Sequence, residues 1–222
     1  MKTNPWMKLC KGAILALAVS YGLTYCHTTK SKLTLEQKGD SLTVIHITNP
    51  TNYILLPIEE EAAESQVLLN TGEAADTDMD IRLAQNQVDY FVPFALPAGV
   101  KTVTVRIRNK SKDALCWKEI KLSDTFDTTN TEKFRPVFHH TPLYGWMNDA
   151  NGLVYKDGEY HLYFQYNPYG SKWGNMHWGH SVSKDLVHWE HLAPAIARDT
   201  LGHIFSGSSI VDQGNIGGYG AG

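Results

Sequence analysis

The chain has 222 residues, is 42% hydrophobic and 19% charged, and balances 20 Lys and Arg against 23 Asp and Glu for a net charge of −3. That balance suits a soluble globular chain of one or two domains. It argues against a nucleic-acid partner, because no basic run is present to neutralise a phosphate backbone.

Residues 1–26 differ from the rest: Lys2, Lys8 and Lys11 lead into the apolar run Ala13 to Val19 and then Leu23. Positive charge followed by a short apolar run is the pattern of an export leader. The run is shorter than the ~20 apolar residues of a permanent membrane span. It ends in LTYC, and Cys26 followed by HTTKSK resembles a bacterial lipoprotein signal, whose cysteine becomes the lipidated first residue. Tyr25 stands where such signals carry a small residue. The expectation is an exported protein, periplasmic, outer-membrane-anchored or extracellular, that touches a membrane only through a lipid on Cys26. Cys10 leaves with the leader, so Cys116 is then the one internal thiol and the fold rests on its apolar core rather than on disulfides.

From Leu33 to Ser123 short runs rich in Val, Ile, Leu and Tyr alternate with turn residues: SLTVIHIT, NYILLPI, SQVLLN, DIRLA, VDYFVPFAL, KTVTVRIR and ALCWKEIKL. In KTVTVRIR the apolar Val103, Val105 and Ile107 alternate with Thr102, Thr104 and Arg106, the period of a strand with one buried face. The region reads as a small antiparallel β-sandwich over 33–123, with one helical turn in EEEAAESQ. Glu59, Glu60 and Glu61 read as a solvated charge run, and Trp117 as a core aromatic. The polar, Thr-rich stretch 124–133 reads as a linker.

After Phe134 the texture changes: four of the six Trp and eight of the ten His lie there. GLVYKDGEYHLYFQYNP reads as a β-hairpin turning at Asp157-Gly158. Its second strand places Tyr160, Leu162, Phe164 and Tyr166 on one face and His161, Tyr163 and Gln165 on the other. Further strands are expected in MHWGHSVS, LVHWEHL and HIFSGSSIVD. Four strands joined by short turns are how a β-propeller blade reads. Trp146, Asn148 and Asp149 are placed before the first strand, Gln165 at the close of the second, and Trp173 and Trp178 in the next loop. Aromatic faces and amides gathered near strand ends suit a polyol, whose C–H faces pack on rings and whose hydroxyls seek Asp, Asn and Gln. Trp178 and Trp189 also fit as core aromatics. His177 and His180 point to opposite faces of a strand, with no third ligand evident, so no metal is expected. His139 and His140 read as closing the loop into the propeller.

WMNDANG, QYNP, WGNMHWGHSVSKDLVHW and FSGS together resemble, in order and spacing, the opening motifs of glycoside hydrolase family 32, the invertases, levanases, inulinases and related fructosyltransferases. The resemblance runs from Phe134 to the end of the chain. Ala150 stands where the family carries Pro, which gives up backbone stiffness but no functional group. The resemblance implies an all-β protein whose sandwich precedes the first blade, and the start of the second, of a five-bladed propeller over 134–222. It implies retaining cleavage of β-fructofuranosides in fructans or sucrose, with no cofactor. Asp149 is then the nucleophile, and Asn148, Gln165, Trp173, Phe205 and Ser206 are sugar contacts. The family's acid/base Glu beside a Cys, and its Arg-Asp-Pro motif, are not found in these residues, so the sequence reads as the N-terminal part of a longer enzyme. Two other readings fit the same residues: a non-catalytic carbohydrate-binding protein, and a fructosyltransferase of the same family.

Overall fold

The computed structural model describes residues 30–70, 77–129 and 133–220; the leader over 1–26, with Cys26, lies outside them. The first part of the chain supplies β1 (Lys32–Lys38), β2 (Leu42–Thr48), β3 (Tyr53–Ile58), β4 (Ser65–Asn70), β5 (Thr77–Ile81), β6 (Tyr90–Ala95), β7 (Thr102–Arg108), a helical turn α1 (Cys116–Glu119) and β8 (Lys121–Ser123). They form two antiparallel sheets, ordered β1-β2-β7-β4-β5 and β6-β3-β8. The alternation in β7 does what its period demands: Val103, Val105 and Ile107 are buried with Ile45, Ile47 and Val67, facing Ile54, Leu56, Val92 and Phe94 of the smaller sheet. Burying each such side chain contributes roughly 1.5–3 kcal/mol, so this layer is the main core.

Several local expectations shift, each for a visible reason. The helical turn forms at Cys116–Glu119 rather than in EEEAAESQ. There, the Glu59 carboxylate accepts the backbone N–H groups of Gln85 and Asn86 at 2.6 and 2.7 Å, and Glu60 N donates to Asp89 at 2.8 Å. Glu59 and Glu60 are thus structural groups that brace the 84–89 loop, and only Glu61 is fully exposed. Trp117 packs on the core and donates its indole N–H to the Ser111 carbonyl at 2.7 Å. Cys116 is fully buried, which pushes its thiol up to about 12.

The second part of the chain supplies β9 (Trp146–Lys156), β10 (Glu159–Asn167), β11 (His177–Ser183) and β12 (Glu190–Ile196), one antiparallel sheet in the order β12-β11-β10-β9. This is the size and connectivity of a propeller blade. Asp157 and Gly158 both take positive φ, 53° and 90°, as a tight primed turn between β9 and β10 requires. β12 begins later than LVHWEHL suggests, because Asp185 ties up the residues before it. Its Oδ1 accepts the N–H groups of Val187 and His188 at 2.9 and 2.8 Å, and its Oδ2 pairs with the His188 ring at 2.7 Å. Residues 203–212 form no ladder; Ile204 N donates to the Met176 carbonyl at 2.9 Å, so this stretch is held against the sheet rather than added to it. His177 and His180 do lie apart: His177 donates Nδ1–H to the Asn175 carbonyl and packs on Tyr169, while His180 stacks on His161 and Tyr163.

The two parts meet at Asn175, which takes a left-handed φ of 43°. Its Oδ1 accepts Asp80 N at 2.9 Å and its Nδ2 donates to the Asp80 carbonyl at 2.8 Å, so one amide side chain completes the open backbone edge of β5. Arg198 donates to the same Asn175 Oδ1 and, at 3.1 Å, to the Asp80 carboxylate. Tyr169 stacks on Phe94 with ring centroids 5.1 Å apart, carrying the second part of the chain onto the sandwich core.

Gly179 lies in β11 directly beneath Phe164, and an added Cβ would overlap that ring. Gly179→Ala is expected to lower stability by about 1–3 kcal/mol through overpacking, read as a reduced urea midpoint; Gly179→Ala/Phe164→Leu should recover part of the loss. A second prediction concerns pH. Burial pulls His140 and His177 down from 6.5 to about 4, with His191 assisting at His140 and Arg198 and His203 at His177. The unfolded chain takes up these protons from near pH 6.5 downward and the folded chain only near 4, so their stabilisation is complete above pH 6.5 and is lost as the pH falls toward 4. For the buried His177 the loss approaches about 1.4 kcal/mol per pH unit. Tryptophan-detected urea unfolding should show a falling midpoint between pH 7 and 4.5, with a shallower fall in His140→Phe.

Candidate active site

The site is built on an irregularity in β9. Met147 faces Tyr166 and Ala150 faces Phe164, so Asn148 and Asp149 together stand opposite the single residue Gln165. This is a β-bulge, which bends a strand and re-aims side chains. Farther along, Leu153 faces Leu162 and Asn151 faces Tyr163, leaving Gly152 unpaired. The structure therefore corrects the expectation that Trp146, Asn148 and Asp149 precede the first strand: the turn-forming Asn, Asp and Gly residues lie inside the ladder and produce its two bulges.

Asp149 is exposed, and its carboxylate is held from two sides. Ser206 Oγ donates to Oδ2 at 2.7 Å and Asn148 Nδ2 donates to Oδ1 at 3.2 Å. Among the described residues no Lys, Arg or His pairs with it. Around it, Asn148 Oδ1, Asn151 Nδ2 and Gln165 Nε2 are buried polar atoms without a partner. A buried polar group left unpaired costs about 1–3 kcal/mol, and here Asn148 in the bulge, Gln165 opposite it and Asn151 beyond it each keep one such donor or acceptor.

Ser206 reaches Asp149 because the 203–209 segment is pinned on both sides. Trp178 donates its indole N–H to the Phe205 carbonyl at 2.9 Å, and Gly207 N reaches Asn151 Oδ1 at 3.4 Å. The segment passes so close that side chains are excluded beneath it: a Cβ on Gly152 would overlap Ser209. Met176 N donates to His203 Nδ1 at 3.0 Å, and the His203 ring lies between Trp173, 5.1 Å away, and Phe205, 6.0 Å away. Burial, then the nearby Arg198, lowers the His203 pKa, so it acts here as a neutral acceptor.

Of the residues expected from sequence, Asn148, Asp149, Gln165 and Ser206 converge at the bulge. Trp173, 52% exposed, and Phe205, 66% exposed, stand beside it as open aromatic surfaces linked by His203. Asn151 and His203 were not anticipated. Asn151 carries a legible signal, since it lies two residues from Asp149 on the same strand; His203 carries none. Trp178 lies on β11 opposite Gln165 rather than in the loop before it, where it packs on Tyr163 and holds Phe205, while Trp189 packs on His140.

Residues 139–218 match the Glycosyl hydrolases family 32 N-terminal domain, and residues 39–138 match a domain of unknown function (DUF4980). The chain is 60% identical over 88 residues to a levanase of Bacillus subtilis (strain 168), covering 40% of this chain and 13% of that protein. It is 45% identical over 101 residues to an extracellular exo-inulinase of Aspergillus awamori, covering 43% and 19%. Against a sucrose-6-phosphate hydrolase of Zymomonas mobilis subsp. mobilis it is 58% identical over 67 residues, covering 30% and 13%. The chain thus spans less than a fifth of the length of these relatives. Over residues 139–218 the chain is thus similar to the N-terminal domain of glycosyl hydrolase family 32.

Proposed function

We propose that the chain is part of an enzyme that hydrolyses β-fructofuranosidic bonds in fructans or sucrose by retaining double displacement, with Asp149 as the nucleophile. The observation that carries this reading is the bulge: an exposed carboxylate, paired with no cation among the described residues, ringed by buried amide atoms that lack partners. A sugar's hydroxyls would satisfy Asn148, Asn151 and Gln165 while its anomeric carbon faces the Asp149 oxygen. An Asp149 oxygen then bonds to that carbon as the glycosidic bond breaks, and the leaving oxygen takes a proton from a second carboxyl about 5–5.5 Å from the first. Water, deprotonated by that same group, releases the fructosyl unit and restores Asp149. Because the chain spans so little of its relatives, we assign the second carboxyl to the remainder of the protein. In this reading residues 33–123 are an accessory sandwich, 124–133 a linker and 134–222 part of the hydrolase domain. Residues 1–26 direct export, with Cys26 lipidated.

In the complete protein Asp149→Asn keeps the shape and removes the attacking charge. Fructose release should fall by several orders of magnitude while the circular dichroism spectrum is unchanged; retention of more than about a tenth of the activity would remove Asp149 from the role. The address is checked separately by mass spectrometry of the mature N-terminus: a lipid-modified Cys26 is expected, and a free terminus at another residue would refute the anchor but not export.

A further inference from the structure

A cavity of about 140 Å³ lies where the sandwich meets the blade. The sandwich contributes Glu64, Asp80 and Arg82 to its wall, and the second part of the chain contributes Lys172, Trp173 and His203. Its floor is closed to ligands, because the side chains of Asn175 and Asn167 are spent internally. Asn175 is committed to Asp80, Arg198 and Asn167, while Asn167 donates to the Lys172 carbonyl at 2.9 Å and accepts Tyr169 N at 3.0 Å. Its rim is different. Arg82 uses Nη1 on the Ala62 carbonyl at 2.8 Å and Nη2 on Glu64 Oε1 at 2.9 Å, two of the five N–H donors of a guanidinium. Glu64 offers a second oxygen, and Trp173 presents a half-exposed ring.

Charge narrows the class of ligand. Arg82 is paired with Glu64, Lys172 with Glu61 at 2.9 Å, and Arg198 with Asp80, so the crevice carries no unmatched cation for a phosphate or sulfate. What remains is a donor fork, an acceptor and a flat aromatic face around a space for one small ring, the combination that grips a neutral sugar. The crevice is also next to the catalytic bulge. Trp173 and His203 form its wall, His203 contacts Phe205, and the neighbouring Ser206 bonds Asp149.

We propose that this crevice binds a further fructosyl unit of a long substrate chain whose reacting unit lies at Asp149, so that the N-terminal sandwich supplies an accessory subsite through Arg82 and Glu64. The proposal rests on the fructosidase reading above. Such a site favours long fructans over sucrose, because a disaccharide has no unit beyond the bond cleaved at Asp149 with which to fill it.

The test compares the complete protein with Arg82→Ala, Arg82→Lys and Glu64→Gln on sucrose and on a long β-fructan. The expected result is that kcat/KM on the fructan falls about tenfold in Arg82→Ala and Glu64→Gln, through KM, while sucrose turnover is unchanged. Arg82→Lys, which keeps the charge and loses the fork, should show the same selective loss. Equal losses on both substrates would assign these residues to holding the two parts of the chain together and overturn the subsite, as would no loss on either. If the unsubstituted protein cleaves neither substrate, the fructosidase reading fails, and calorimetry with the long fructan still decides the subsite. Binding weakened in Arg82→Ala sustains it, and equal or absent binding overturns it.

Discussion

The side chain of Asn175 is the joint on which the arrangement depends. A β-sheet edge leaves backbone N–H and C=O groups open, and at β5 one amide satisfies both groups of Asp80, mimicking the next strand. The left-handed backbone at Asn175 makes this possible, a conformation Asn tolerates far better than a branched residue. From that point order spreads in two directions. Arg198 is drawn in beside Asp80, which fixes the chain after β12. Met176, the next residue, is fully buried and binds both the His203 ring and the Ile204 backbone, which sets the start of the segment that carries Ser206 to Asp149. A contact made between residues 95 positions apart is thus linked to the candidate nucleophile through two hydrogen bonds, Ile204 to Met176 and Ser206 to Asp149, joined by short runs of backbone.

The blade divides its polar groups into two kinds. Most of those that serve packing are paired: Ser181 lies between His140 at 2.9 Å and His191 at 3.1 Å, with His140 Nδ1 left over, and burial lowers the pKa of both histidines. Those at the bulge are not paired, and Asn148, Asn151 and Gln165 keep free amide atoms in buried positions. Such groups lower stability in the unliganded protein, and they persist where a ligand completes them. The contrast within one sheet is what separates site from scaffold, since burial alone does not distinguish Gln165 from its paired neighbours.

The all-β class, the β9–β10 turn and the buried face of β7 were legible because each is a local pattern: alternation with period two, or an Asp-Gly turn. The four motifs of the second half were legible for the same reason, each being a contiguous string. What sequence did not show was register. Asn148 and Asp149 look like turn residues, and only the pairing of Met147 with Tyr166 and Ala150 with Phe164 reveals that they form a bulge inside a strand. The late start of β12 depends on where the Asp185 carboxylate finds N–H groups, and the structural use of Glu59 depends on a loop 26 residues away. Asp80 had no signal at all, because its role comes from a side chain in the other half of the chain.

The two halves are unequal in what holds them. The large buried cluster is made of sandwich residues, from Ile45 to Ile120, with Tyr169 packed against it from the other side. The blade buries few large apolar side chains, Phe164, Tyr166, Met176 and Val182, and leaves Leu153, Tyr155, Leu192 and Ile196 between 41% and 59% exposed. A single four-stranded sheet has two faces and little to fill them; in a propeller, adjacent blades cover both. Here part of that cover comes from the sandwich, through Tyr169 on Phe94 and through Asn175 on Asp80. The sandwich therefore braces the end of the sheet that carries Trp173 and the loop to Ser206, while the apolar surface at Leu153 and Ile196 suits further blades. Rigidity of the candidate site comes from the first of these contacts, since the bulge itself, with unpaired amides and an exposed carboxylate, contributes little.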